Sequence, residues 1–155
     1  MLESTTGINT RLKLVREVYD NLPFNRLLGL TVEFLEINKA GFNFAMKKEL
    51  IGNTVHGILH GGVISAVLDT TGGMTATASA MERLQDLSQD EIAERIARIG
   101  TIDMRVDYLR PGKGAQFHSS GTVMRTGRKV AVTRMELKNE EHLLIAVGTG
   151  TYIVG

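Results

Sequence analysis

One stretch in the middle of the chain, Gly62 to about Met81, can be helical only if something else encloses it. It holds one charged residue, Asp69, and is otherwise Gly, Ala, Ser, Thr, Met and aliphatic residues. Thr70, Thr71, Gly72, Gly73, Thr75 and Thr77 are weak helix formers, so this segment has little helical stability of its own. Tertiary burial must hold it. Its small residues invite close approach by another backbone or by a ligand.

The segments that could enclose it are mostly strands. From Ile99 onward the apolar period switches to two, giving strands over Ile99–Arg110, Ala115–Arg125, Lys129–Lys138 and Leu143–Val154. Upstream, Leu12, Val15, Val18, Tyr19 and Leu22 share one side of a helix over 9–22, which Pro23 stops. Phe24 to Leu28 reads as one further turn closed by Gly29. Thr31–Asn38 and Gly41–Lys47 read as a hairpin turning near Lys39-Ala40-Gly41, and Glu49–Leu59 as loop. Ser88 and Glu91 have capping-box spacing and open a short helix to about Arg98. This order predicts an α+β fold, an antiparallel sheet wrapped around one long central helix. The four C-terminal strands are expected to meander. Their length implies an exposed edge that a second copy would cover, hence a homodimer or homotetramer.

The bulk composition narrows the function. At 155 residues the chain reads as one domain, 1–155, with 43% hydrophobic and 23% charged residues. A net charge of +1 gives no global pull toward nucleic acid or an anionic membrane. Cysteine is absent, which removes disulfides, thiolate catalysis and Cys-type metal sites, and fits a reducing cytoplasm. Met1 to Asn21 is charged throughout and lacks the apolar core of a signal peptide. No apolar run approaches the ~18 residues that span a bilayer. The expectation is a cytoplasmic protein with neither a membrane nor a nucleic-acid partner.

The chemistry concentrates at the helix entrance. His60-Gly61-Gly62 leads into the helix, leaving backbone N–H groups bare at its positive end. The N–H of Gly61 or Gly62 suits a developing oxyanion. Gly62, Ser65, Asp69, Gly72 and Gly73 fall on one helix face, so the Asp69 carboxylate is expected to have open space beside it. That carboxylate could attack a thioester carbonyl, deprotonate a water, or serve a structural ion pair. Asn53, in the upstream loop, could bind the carbonyl or orient a water; Thr101 could hold the attacking water or simply form strand. Arg110-Pro111-Gly112-Lys113-Gly114 is a basic turn able to meet the phosphates of a nucleotide-bearing substrate, or to be solvated. It is not a P-loop, since no helix bearing Lys-Ser/Thr follows. His56 and His60 lack the Glu and third ligand of a zinc site, so no metal is expected.

Two runs carry a resemblance. His60-Gly61-Gly62-Val63-Ile64 through Leu68-Asp69, followed by Ile102 through Gly112, resembles the PaaI-type hotdog thioesterases. The likeness to the YigI group of bacterial thioesterases is closer and extends over Pro23-Phe24-Asn25-Arg26, Gly100-Thr101-Ile102-Asp103, Asn139-Glu140-Glu141 and Thr151-Tyr152. It implies a hotdog fold and hydrolysis of medium- to long-chain fatty acyl-CoA, with no cofactor. It also implies Asp69 as nucleophile or general base and the Gly61 N–H as oxyanion donor. Asn53 and His60 would complete the catalytic set with Thr101, which stands where some relatives have Ser. Gly62, Ser65, Arg110, Gly112 and Lys113 would face substrate. Glu82–Arg98 looks longer than in the simplest PaaI-type proteins and is expected to border the acyl channel. Eight residues of helix separate Gly61 from Asp69, roughly 12 Å at ~1.5 Å per residue, too far for one carbonyl. The two halves must therefore come from different subunits. Two rival readings remain: an acyl-thioester hydratase or dehydratase using His60 with Asp69, and a non-catalytic acyl-CoA-binding module.

Overall fold

The computed structural model describes residues 2–155, with side chains from residue 7 onward. Its central element is helix α3, Gly61–Ala80, and every residue from Thr71 to Ala80 is buried. The buried threonines are tolerated because each hydroxyl donates back to a carbonyl one turn earlier: Thr71 to Val67, Thr75 to Thr71 and Thr77 to Gly73, all at 2.7 Å. Weak intrinsic propensity is thus offset by enclosure, as the sequence requires.

The enclosure is a six-stranded antiparallel sheet in the order β1-β2-β6-β7-β8-β5. The strands are β1 (Thr31–Glu36), β2 (Lys39–Ala45), β5 (Gly100–Tyr108), β6 (Gln116–Thr126), β7 (Val130–Asn139) and β8 (Leu144–Ile153). Phe42, Phe44, Phe117, Met135, Leu137, Ile145 and Tyr152 point inward and are fully buried together with Val67, Leu68 and Met74 of α3. Burying a side chain of this size stabilises by roughly 1.5–3 kcal/mol. The hotdog arrangement implied by the resemblance is therefore present.

Four expectations need correction. The C-terminal strands do not form one meander: β6, β7 and β8 do, but β5 crosses over and pairs with β8. Alternation marks a strand but does not say which neighbour it takes. The free edges are consequently β1 and β5, while the last strand lies inside the sheet. The first hairpin turns at Ile37-Asn38, ahead of Lys39. The 49–59 loop contains a short 3-10 turn, Lys48–Leu50, and a small hairpin of β3 (Ile51–Asn53) and β4 (Ile58–Leu59).

Helix α1, Leu2–Asn21, begins earlier than the apolar spacing predicts and packs Val15 and Tyr19 into the core. Helix α2, Pro23–Leu28, ends on Gly29 in the left-handed region at φ 77°, a conformation glycine adopts without strain. Helix α4, Gln89–Ala97, carries the capping box: the Ser88 hydroxyl accepts from Glu91 N–H while the Glu91 carboxylate accepts from Ser88 N–H. The Ser88 N–H, and after it the Ser88 hydroxyl, donate to the Glu91 carboxylate and hold that carboxyl below its usual range. Ile92 and Ile96 are buried in the main core. The 89–97 helix borders a cavity of about 420 Å³ against α1, whose lining includes Leu14, Leu87 and Ile92. α1 also reaches the C-terminal end of α3, where Arg11 Nε donates to Met81 O at 3.0 Å. This end lies about 18 Å along the helix axis from Asp69.

Candidate active site

The entrance of α3 is fixed by its own histidine. His60 is the N-cap, and its Nδ1 accepts from the Gly62 N–H at 2.8 Å. The His60 carbonyl accepts from the N–H groups of Val63 and Ile64 at 3.0 and 3.2 Å. Among the described residues, the Gly61 N–H is therefore the one group of the first turn left over. The sequence leaves Gly61 and Gly62 as equal candidates; the cap decides between them.

Two loops brace this entrance. Gly52 lies so close to His60 that a Cβ would sit 2.5 Å from His60 Cα, which packs the β3–β4 hairpin on the helix start. Asn53 closes that hairpin: its Oδ1 accepts from the N–H groups of Val55 and His56 at 3.0 and 3.2 Å. Its amide nitrogen is the part left for a ligand. The basic turn docks beside them through the Gly112 carbonyl, which accepts from Leu59 N–H at 2.9 Å. Arg110 and Lys113 are exposed on it, and Arg110 Nη1 donates to Leu144 O at 2.9 Å. Tyr108, which the sequence reading passed over, lays its ring on Gly61 and donates to the Gly61 carbonyl at 3.1 Å.

Asp69 is half-buried, two turns further along. Thr101 Oγ1 donates to its Oδ1 at 2.8 Å. Strict alternation would turn Thr101 away from the helix, in phase with Asp103 and Arg105. A bulge at Ile102 resets the phase: Thr101 pairs with Tyr152 and Asp103 with Thr151. Ile102 is thereby thrown outward, at 57% exposure, and Thr101 faces Asp69. No single-sequence pattern announces this bulge.

The expected open space beside Asp69 is in part filled. A Cβ on Gly72 would lie 2.2 Å from the Tyr152 hydroxyl, and one on Gly73 would lie 3.3 Å from the Tyr19 hydroxyl. Gly72 and Gly73 thus admit two tyrosines rather than substrate. Ser65, one turn before Asp69, bonds its hydroxyl to Gly62 O at 3.0 Å. Burial drives the Tyr152 phenol well above the ordinary tyrosine range, with the Asp69 charge as the second cause. Burial likewise pushes Tyr19 up to about 12. Both tyrosines are therefore uncharged donors near Asp69 at neutral pH.

One chain thus presents a hydroxyl-held carboxylate beside an edge strand and a bare N–H at a helix start, with His60, Asn53 and the basic turn grouped around the latter. It does not bring the carboxylate and the N–H together, as their separation along α3 requires.

Comparison with known proteins agrees with this fold. The family model of the thioesterase superfamily matches residues 56–146. The chain is 47% identical over 145 residues to the medium/long-chain acyl-CoA thioesterase YigI of Escherichia coli K12, covering 93% of this chain and 94% of that protein. A crystal structure of a thioesterase-superfamily protein from Shewanella oneidensis superposes with a TM-score of 0.90 at 49% identity, covering 96% and 97% of the two chains. Another, from Syntrophus aciditrophicus, superposes with a TM-score of 0.82 at 40% identity, covering 92% and 95%. The enclosed helix and the sheet around it are shared with these structures, and the chain belongs to the thioesterase superfamily.

Proposed function

We propose that this protein hydrolyses medium- to long-chain fatty acyl-CoA to free fatty acid and CoA, at a site shared by two subunits. The observation that carries this reading is the Asp69 carboxylate, half-buried and held by Thr101 on the edge strand β5. A second subunit added along that edge would bring its own Gly61 N–H toward this carboxylate. The exposed Ile102, Tyr108 and Leu109 on and just after β5 give such a contact its apolar component.

The thioester carbonyl lies between Asp69 of one subunit and the Gly61 N–H of the other. In one route a carboxylate oxygen attacks the carbonyl carbon, the C–S bond breaks and CoA leaves as thiolate; water then cleaves the mixed anhydride and restores Asp69. In the other, Asp69 takes a proton from water as its oxygen attacks, and that proton follows the departing thiolate. Both consume one water and release one acid and one thiol. In both, the carbonyl oxygen becomes negative and meets the Gly61 N–H, an arrangement worth about 10²–10³ in turnover where a single donor has been removed.

The remaining residues fall into place around this step. His60 holds the helix entrance, Gly62 and Ser65 line its first turns, and the Asn53 amide is available to the carbonyl or the water. Arg110 and Lys113, on the turn docked through Gly112, suit the CoA phosphates. Exposed Phe24 and Leu27 of α2 suit the acyl chain, since Asn25 of that helix ties to Thr70 beside Asp69. The hydratase reading would have to use His60 through Nε2, since Nδ1 caps its own helix.

The test is thiol release from acyl-CoAs of graded length by the wild type and by Asp69→Asn. Turnover should fall by about 10²–10⁴ in the variant, with the fold retained. A change in alkene absorbance without thiol release would instead indicate hydration, and tight binding without turnover would indicate a binding module.

A further inference from the structure

Tyr152 has no counterpart in the chemistry just described, yet it is among the most constrained side chains in the molecule. It is 1% exposed. Its ring occupies space that any side chain at Gly72 or Gly150 would take, since a Cβ at either would lie 2.2 or 2.6 Å from the hydroxyl oxygen. The helix and the strand have both been cut back to admit it. What that accommodation achieves is to deliver one hydroxyl to Asp69, 3.3 Å from Oδ1 and 3.2 Å from the backbone carbonyl of the same residue. A phenylalanine would fill the same space without reaching the carboxylate.

Thr101 donates to that same oxygen, Oδ1, at 2.8 Å. Thr101 and Tyr152 are also cross-strand partners, brought onto one face by the bulge at Ile102. Among the described residues, no hydrogen bond reaches Oδ2. A carboxylate can rotate about its terminal bond, which would exchange its two oxygens. Two donors on one oxygen oppose that rotation, and the Tyr152 proton, shared between Oδ1 and the Asp69 carbonyl, also ties the side chain to its own backbone.

We infer that Tyr152 is a positioning residue: with Thr101 it holds Oδ1 of Asp69 so that Oδ2 is the oxygen presented to the acyl carbonyl or the attacking water. This rests on the reading of Asp69 as the reacting carboxylate.

The test compares Tyr152→Phe, Thr101→Val and the double variant in steady-state thiol release from one acyl-CoA, with melting temperatures measured in parallel. Tyr152→Phe should lower kcat by roughly tenfold while leaving KM unchanged, because the lost bond acts on the reacting group and not on substrate binding. Thr101→Val should act in the same way. The double variant should deviate from the product of the two single effects, because both donors serve one oxygen. A purely structural Tyr152 would lower the melting temperature and leave kcat at moderate temperature intact; that result overturns the inference. Thr101→Val is exposed on an edge strand and keeps the question open to refutation should Tyr152→Phe not fold: an unchanged kcat there also overturns it. Failure of the underlying reading is separate and visible, as an inert wild type or an Asp69→Asn variant with full activity.

Discussion

Asp69 shows what a single residue can and cannot reveal. A lone charge in an apolar helix costs free energy unless it is paired or used, and that made it legible from sequence. Its surroundings were not legible. Thr101 reaches it only through a bulge, and Tyr152 arrives from the far end of the chain through the crossover pairing of β5 with β8. Gly72 and Gly73 stood out in the sequence as makers of space, which was right in kind and wrong about the occupant. Their vacancy is filled by Tyr152 and Tyr19. A direct consequence concerns Gly72→Ala. The added methyl would meet the Tyr152 hydroxyl at 2.2 Å and Met135 Sδ at 2.9 Å. Overpacking of this kind costs about 1–3 kcal/mol, and chemical denaturation should register it as a lower midpoint. The same variant should lose turnover, because relief of the clash moves the hydroxyl off Asp69.

At the scale of elements, periodicity located nearly every helix and strand, and local chemistry marked several ends. The Ser88–Glu91 box and the Gly29 cap are sequence signals whose mechanism lies within a few residues, so they survive without tertiary information. Strand order does not, because β5 pairs with β8 across the whole of β6 and β7 in sequence. The entrance of α3 offers a substitution suited to this geometry. Gly61 is the first residue of the helix, and His60 before it is extended at φ −65°, ψ 138°. Proline is favoured at the first helical position and requires an extended residue ahead of it. A Cβ at Gly61 would meet only the Tyr108 ring, at 3.5 Å. Gly61→Pro should therefore fold with an unchanged circular dichroism spectrum while lacking the one N–H proposed to stabilise the oxyanion. Its kcat is expected to fall by about 10²–10³.

For the whole molecule, two properties follow from how the parts are enclosed. The first is alkaline stability. Tyr19 and Tyr152 are both held uncharged in the fold, with Tyr19 raised to about 12 by burial and Tyr152 raised further. In the unfolded chain they release protons near pH ~10. Folded pKa values above unfolded ones mean that this contribution to stability is complete below pH ~10 and is lost as pH rises beyond it. Thermal melts should show a decline that sets in above pH ~10, and Tyr152→Phe should reduce the steepness of that decline.

The second property is the division of the site between subunits. Asp69 and the Gly61 N–H lie at separate points of one rigid helix, so the central claim is that each active site takes one from each copy. The most direct measurement mixes two inactive proteins. Asp69→Asn and Gly61→Pro are unfolded together, refolded at equal concentration and assayed for thiol release. A mixed dimer would contain one site carrying both lesions and one site carrying neither. Random pairing should then restore about a quarter of wild-type activity, although each parent alone is nearly inert. If the mixture forms mixed dimers and stays as inactive as its parents, the carboxylate and the N–H do not meet across subunits, and the account is wrong.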